Sequence, residues 1–294
     1  MKKCFSMGQL LLNVFFIIFC ALIIIPFILV VAVSFSSEMD VLKYGYEFIP
    51  RNFTTASYQY IFGNPKMILD AYKVTIAFSV VGTFVSVLFT AMAAYPLSQK
   101  EFKYRKVISF YFYFTCLFSG GLVPTYLLIT KYLKLADSFL VYIIPGCVSA
   151  FNVFMVRTFF SDIPHEIVES VLVDGGNDYT IFFKFILPLS KPVIATIALM
   201  TFLGKWNDWQ TSLLYIDNQK LISLQYLLQR ILNNIDILKQ NAEKGIDIGV
   251  SVKDIPSETV RMAMSIVVAG PALIVFPFFQ KYFVKGLTVG SVKG

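Results

Sequence analysis

The 294-residue chain is 57% hydrophobic and only 15% charged, with a formal net charge of +7. Soluble domains run nearer half apolar and about a quarter charged, so an ordinary soluble globule is excluded and an all-α membrane protein is expected. The cysteines, Cys4, Cys20, Cys116 and Cys147, form no Cys-x-x-Cys or Cys/His cluster, and His165 is the only histidine. That leaves no metal site and no histidine-based catalytic triad to argue for.

Residues 4–37, 74–99, 107–130, 138–156 and 262–280 contain no Asp, Glu, Lys, Arg or His. A helix crosses the hydrocarbon core with about 20 apolar residues, so each run can span. A sixth run, 187–210, is interrupted by Lys191, Lys205 and Asp208. The expectation is one membrane domain over 1–294 with six transmembrane helices at about 10–33, 74–98, 107–130, 138–157, 187–210 and 262–281. Lys2, Lys3 and the triplet Ala32-Val33-Ser34 fit a cleaved signal peptide. The stretch Leu10–Val33 is longer than a signal core, so it is read as a span.

Charge placement orients the spans. Segments 1–9, 97–106, 157–187 and 281–294 hold Lys2 and Lys3, then Lys100, Lys103, Arg105 and Lys106, then Arg157 and Lys184, then Lys281, Lys285 and Lys293. The positive-inside rule puts these on the cytoplasmic side, together with both termini. The net charge reflects this bias and gives no reason to invoke nucleic acid.

The first outer segment, 38–73, is punctuated by Pro, Gly and Asn. In the third span "FSGGLVP" (118–124) combines Gly-Gly with Pro and should break the helix. In the outer loop 211–261, Leu221, Leu224, Leu228, Ile231, Ile235 and Leu238 recur at spacings of 3, 4, 3, 4 and 3. That is one apolar face of a helix, either laid on its own bundle or offered to an external partner.

Between spans four and five lies a segment, 161–186, that lipid would not tolerate. Ser161 or Asp162 could cap a helix, and Pro164 suits its first turn. Ile167, Val168, Val171 and Leu172 share one side of that helix, and Gly175-Gly176 would end it. Asn177 or Asp178 could cap a second helix running through Phe182, Phe183 and Ile186 into Leu187-Pro188. The apolar side either packs under its own bundle or docks a partner.

"ESVLVDGGNDYTIFFKFILPLSKP" (169–192) resembles the signature loop of binding-protein-dependent ABC importer permeases: Glu169, Asp174, Gly175, Phe182, Leu187, Pro188 and Pro192 match it in order and spacing. Ser170 and Val171 stand where that motif has two alanines. The C-terminal "FFQKYFVKGLTVGSVKG" resembles the tail of the smaller permeases of the maltose-type carbohydrate family. "SGGLVPTYLL", "IIPGCVSAFNVFMVRTFF" and "GKWNDWQTSLLYI" resemble its complex-oligosaccharide branch, which includes importers of plant uronate oligomers.

The resemblance implies a type I importer permease fold in the bacterial plasma membrane. It implies a second, related permease, two cytoplasmic ATPases carrying ATP and Mg, and an extracellular solute-binding protein. Glu169, Asp174, Gly175, Gly176, Ile167, Val171 and Leu172 would meet an ATPase. So would a tail containing Lys285, Gly286, Gly290, Lys293 and Gly294. No Gly-x-x-x-x-Gly-Lys-Ser/Thr sequence occurs, so this chain is not the ATPase.

For the substrate path the residues themselves suggest Trp206, Asn207, Asp208 and Trp209. Aromatic faces beside hydrogen-bonding groups suit a sugar ring, whereas a tryptophan belt at the membrane surface is the competing account. Asn152, Tyr95 and Tyr126 are further candidates. A self-sufficient secondary carrier would show related halves, and the signature loop has no second copy. An importer for a non-sugar solute remains open at this stage, and a membrane enzyme lacks any visible catalytic constellation.

Overall fold

The computed structural model describes residues 7–244 and 257–290, with 278–290 as backbone alone. Among these residues the secondary structure is helical, and the only β pairing is an isolated bridge between Ser36 and Phe53. In chain order the helices are α1 (Met7–Ser34), α2 (Glu38–Tyr44), α3 (Ala56–Ile61), α4 (Pro65–Ser98), α5 (Arg105–Leu117) and α6 (Leu122–Leu127). There follow α7 (Ala150–Ser161), α8 (His165–Val173), α9 (Asp178–Thr180), α10 (Leu187–Leu189), α11 (Lys191–Trp206), α12 (Gln210–Tyr215), α13 (Leu224–Glu243) and α14 (Glu258–Gly290). The chain forms two compact units, one from Met1–Pro65 and Leu228–Pro271, the other from Lys66–Leu227 and Ala272–Gly294.

The first unit begins with α1, which is apolar on every side and is exposed at every residue over 8–28. A helix of that kind belongs in lipid or against another chain. Its last turn is different: Val33 and Ser34 are buried, and the Ser34 hydroxyl lies 3.0 Å from that of Tyr58. Phe35 stacks on Phe53 and packs at a tilt against Tyr58, at centroid distances of 5.3 and 4.9 Å. Ile235 of α13 and Val260, Ala263 and Met264 of α14 are also buried here.

The second unit is built along α4, about 50 Å long at 1.5 Å per residue. Small residues, Thr75, Ser79, Gly82, Thr83, Ser86, Thr90, Ala91 and Ala94, make up most of its buried face, with Ile68, Phe78 and Leu97 as the large side chains among them. Small side chains let helices approach closely where lipid supplies no hydrophobic drive between them. A core of Ala91, Ala94, Leu97, Val153, Val156, Phe160, Val168, Val171, Ile181, Phe182, Ile186, Val193 and Ile197 joins α4, α7, α8 and α11 with the wider π-helical turns of 181–186.

Among the described residues three helices are long and apolar enough to cross a membrane: Gly8–Ser34, Pro65–Ser98 and Glu258–Pro277. Two bent pairs add to these. Arg105–Leu117 and Leu122–Tyr132 meet at 115°, and Asp178–Leu189 and Lys191–Trp206 at 79°. The first bend falls at the expected "FSGGLVP", where Gly121 takes φ +88°.

The segment 138–157, expected as the fourth span, is not one continuous helix. A single 3-10 turn at Phe139–Tyr142 leads through Pro145 and Gly146, at φ +72°, to α7, which starts only at Ala150 and has 12 residues. Pro145 cannot continue a helix from the preceding turn, and Gly146 supplies a left-handed residue that reverses the chain.

Candidate functional site: the α8 knob and the α11 end

Helix α8 starts at His165, one residue beyond Pro164, and its first turn carries no side-chain cap. Ser161, expected as a cap, is still the last residue of α7, and Asp162 follows as that helix's own C-cap. The reason is Pro164, which pushes the residue before it out of helical conformation and separates the two helices there. The second expected cap is present: the Asn177 side chain accepts the Thr180 N–H at 2.9 Å.

Two hydrogen bonds close the far end of α8. The Gly176 N–H reaches the Val171 carbonyl at 2.8 Å and the Gly175 N–H reaches Leu172 at 3.0 Å, with Gly175 at φ +78°. This is the Schellman arrangement, which satisfies the last carbonyls of a helix and needs a left-handed residue. Gly176 is required for a different reason. A Cβ there would lie 2.8 Å from the Val171 carbonyl oxygen and 2.5 Å from its side chain.

The faces of α8 have separate uses. Val168 and Val171 are buried in the unit's core, while Leu172 is 52% and Val173 87% exposed. Val171, expected with Ile167 and Leu172 on a docking side, therefore anchors the helix from beneath, because the i, i+3 pair Val168/Val171 faces inward. Ile167 is half-buried. Glu169 is exposed and lies 3.0 Å from Nδ1 of His165, one turn back. The other ring nitrogen of His165 is 3.8 Å from Glu101, in the turn after α4. His165, Glu101 and Asp178 line a cleft of about 570 Å³ together with Tyr95, Phe102 and Leu172.

The other expected residues are dispersed. Tyr95 packs on Phe182 at 5.3 Å beside α8, about 30 Å along α4 from the Thr75 end. Trp206, expected to face a sugar, is 2% exposed and stacks on Phe202 at 6.0 Å. Trp209 is 40% exposed, Asn207 is exposed and accepts from Gln225 at 2.9 Å, and Asp208 accepts the Thr211 N–H at 3.0 Å. Tyr126 stacks on Tyr215 at 5.7 Å. Asn152 is half-buried in the first turn of α7. The backbone of Lys285, Gly286 and Gly290 continues α14, and Lys293 and Gly294 lie outside the described residues.

A buried polar network at the end of α11 has no counterpart among the sequence expectations. The Tyr142 hydroxyl lies 2.5 Å from Ser212 Oγ and donates to the Leu221 carbonyl at 2.8 Å. Ser223 Oγ donates to the Asp208 carbonyl, and its N–H to Ser212 Oγ, both at 2.9 Å. Lys205 Nζ donates to the Tyr142 carbonyl at 2.8 Å. The one sequence signal was Lys205 itself, a cation inside an otherwise apolar run.

A short helix pinned at one end of apolar, partly broken helices is a membrane-protein arrangement, and a solved structure carries the same fold and sets the class, that of ABC importer permeases: a bacterial ABC transporter involved in the import of the acidic polysaccharide alginate. A chain of it has a TM-score of 0.78 and 27% identity, with 96% of this chain and 99% of that one covered. The sequence narrows the class. A Bacillus subtilis polygalacturonan/rhamnogalacturonan transport system permease protein is 37% identical over 286 residues, 97% of this chain and 98% of that one. The Bacillus subtilis protein LplC is 38% identical over 93% and 90% of the two chains. An arabinooligosaccharides transport system permease protein of Halalkalibacterium halodurans is 28% identical over 97% and 96%. No family model matches. The chain belongs to the permease subunits of sugar ABC import systems.

Proposed function

We propose that segment 161–186 is the coupling loop through which a separate cytoplasmic ATPase drives this permease, and that the cargo is an oligosaccharide rich in uronic acid. The observation that carries the coupling role is the split of α8. Val168 and Val171 lock it to the core, while Leu172 and Val173 stand out at its tip beside the exposed carboxylate of Glu169. A helix held from below transmits a push as a rigid body, which a free loop would not. Glu169 would pair with a basic group of the ATPase, and Asp174, Gly175 and Gly176 would fix the direction of the tip.

The rest of the assembly follows from that reading. Two ATPases would bind ATP and Mg, a second related permease would complete the pathway, and an extracellular binding protein would deliver the sugar. The Lys and Arg distribution supports cytoplasmic termini and a cytoplasmic α8. The tail residues Lys285, Gly286, Gly290, Lys293 and Gly294 would contact the ATPase pair. Trp209 and Asn207, exposed at the end of α11, would line the sugar path, with Trp206 and Asp208 holding them in place. The uronate reading is supported by the polygalacturonan and alginate systems among the similar proteins.

Affinity purification of the chain from its native membranes in mild detergent tests the assembly. An ATPase and a second permease should be recovered, and Leu172→Asp with Val173→Asp should lose the ATPase while keeping the permease. A clean homo-oligomer in several detergents would overturn the coupling role.

A further inference from the structure

We propose that Lys205 reads the carboxylate of the acidic sugar, and that Gly82 exists to place its ammonium. The inference rests on the uronate reading above and adds the residue that would enforce it.

The side chain occupies an unusual position. Lys205 is in the last turn of α11, half-buried, and donates to the Tyr142 carbonyl at 2.8 Å. An ammonium has three donors, and a carbonyl is neutral. Among the described residues no carboxylate lies within 4.0 Å of it: the ion pairs there are Arg51–Glu47, Lys73–Asp70, Arg261–Asp236 and those of His165. Asp208, three residues on, is near enough for its charge to act on Lys205 but turns one oxygen to the Thr211 N–H. Ionisable groups at membrane depth normally pair with one another or face a polar path, and Lys205 makes no contact ion pair among the described residues.

Its stem is placed by an absence. Lys205 Cε, Cδ and Nζ lie 2.7, 2.9 and 3.0 Å from where a Cβ on Gly82 would stand, so the chain crosses α4 through a notch that only glycine leaves open. A carboxylate on the sugar would give this ammonium the charge-assisted acceptor that the Tyr142 carbonyl does not.

The competing account is that Lys205 is a strut joining α11, α4 and the turn at Tyr142, with no role in recognition. Uptake by the complete importer separates the two, with trigalacturonate and its methyl ester as probes, since esterification removes charge and keeps the sugar. The binding protein is the same for every variant, so its own preference cancels in the comparison with wild type. Lys205→Met keeps the stem and removes the charge. It should lower trigalacturonate uptake about tenfold and leave the ester within about twofold, while Lys205→Arg retains most of both. Equal losses for acid and ester would mean a strut and overturn the proposal.

Gly82→Ala provides a second route should Lys205→Met fail to reach the membrane. Its Cβ meets only the far end of a flexible side chain, so it should displace the ammonium without unfolding the unit and lower the acid-to-ester uptake ratio about threefold. An unchanged ratio in that variant also overturns the proposal. A wild-type importer that takes up no trigalacturonate sinks the uronate reading itself, and is seen before any variant is made.

Discussion

Glu38 caps the helix that begins at Glu258 from more than 200 residues away in sequence, and Thr259 is its principal partner. One carboxylate oxygen accepts the Thr259 N–H at 3.0 Å and its hydroxyl at 2.7 Å; the other accepts the Glu258 N–H at 3.0 Å and the Ser257 hydroxyl at 3.1 Å. The first N–H groups of a helix have no partner within it, and a negative charge there is favoured by the helix dipole. Glu38 supplies both, and so ties α2 to α14 within the first unit.

The capping makes stability depend on pH in a definite direction. Burial alone would raise the Glu38 pKa, but hydrogen bonds from Thr259 and Glu258 outweigh it and hold the group below the ordinary glutamate value. A folded-state pKa below the unfolded one stabilises fully above pH 4.5, and the contribution fades as pH falls through the lower, folded value. Glu38→Gln should therefore lower the thermal midpoint in detergent at pH 7 and leave a smaller loss of stability than wild type shows as pH falls below the ordinary glutamate range. Glu38→Ala leaves four donors unanswered and should cost about 1–3 kcal/mol. A midpoint that falls with acid equally steeply in wild type and Glu38→Gln would show that other carboxylates control it.

The turn after α8 allows a sharper test of coupling. Gly175 sits at φ +78°, where a β-branched residue is strained by about 1–2 kcal/mol, so Gly175→Val should tilt or loosen the tip of α8. Asp174→Arg reverses the charge presented there. Both variants should insert normally, retain ATPase activity in the assembled complex and lose sugar uptake. Uptake at the wild-type rate in both would remove 161–186 from the coupling role.

Gly176 separates conformation from space at the same turn. Its φ is not in the left-handed region, yet an alanine Cβ would meet the backbone oxygen of Val171 at 2.8 Å. Backbone cannot step aside as a side chain can. Gly176→Ala should thus disrupt the Schellman closure and cost about 1–3 kcal/mol, whereas Gly45→Ala, with nothing within 4 Å, should suffer only the positive-φ penalty. Thermal unfolding of the two purified variants ranks them.

Local chemistry made part of this architecture legible in the sequence. The helix end at Gly175-Gly176, the cap at Asn177, the break at "FSGGLVP" and the apolar face of α13 all rest on neighbours within a turn or two. Leu224, Leu228 and Ile235 of that face are indeed buried, though Leu238 is not. What the sequence hid depends on distance. Nothing near Glu38 announces Ser257 and Thr259, and nothing near Lys205 announces Gly82. The run 138–157 has the length and lack of charge of a span, yet Pro145 and Gly146 in the middle of it keep it from being one continuous helix. Composition reports what lipid tolerates, while proline and glycine report what backbone can do.

Trp206 and Trp209 look alike in the sequence and differ in the fold, which yields the last prediction. Trp206 is 2% exposed and stacked on Phe202, so Trp206→Ala should leave a cavity and cost about 3–5 kcal/mol. That loss should appear as reduced membrane accumulation and a lower thermal midpoint, whatever the substrate. Trp209 is 40% exposed at the start of α12, and Trp209→Ala should keep both near wild type. If Trp209 stacks on the sugar, its removal should raise the apparent KM for oligosaccharide several-fold through lost ring contact. Phenylalanine at 209 should restore most of that loss, because it keeps an aromatic face. A Trp209→Ala importer with unchanged KM would assign the residue to the membrane surface and leave Asn207 as the exposed polar group to test next.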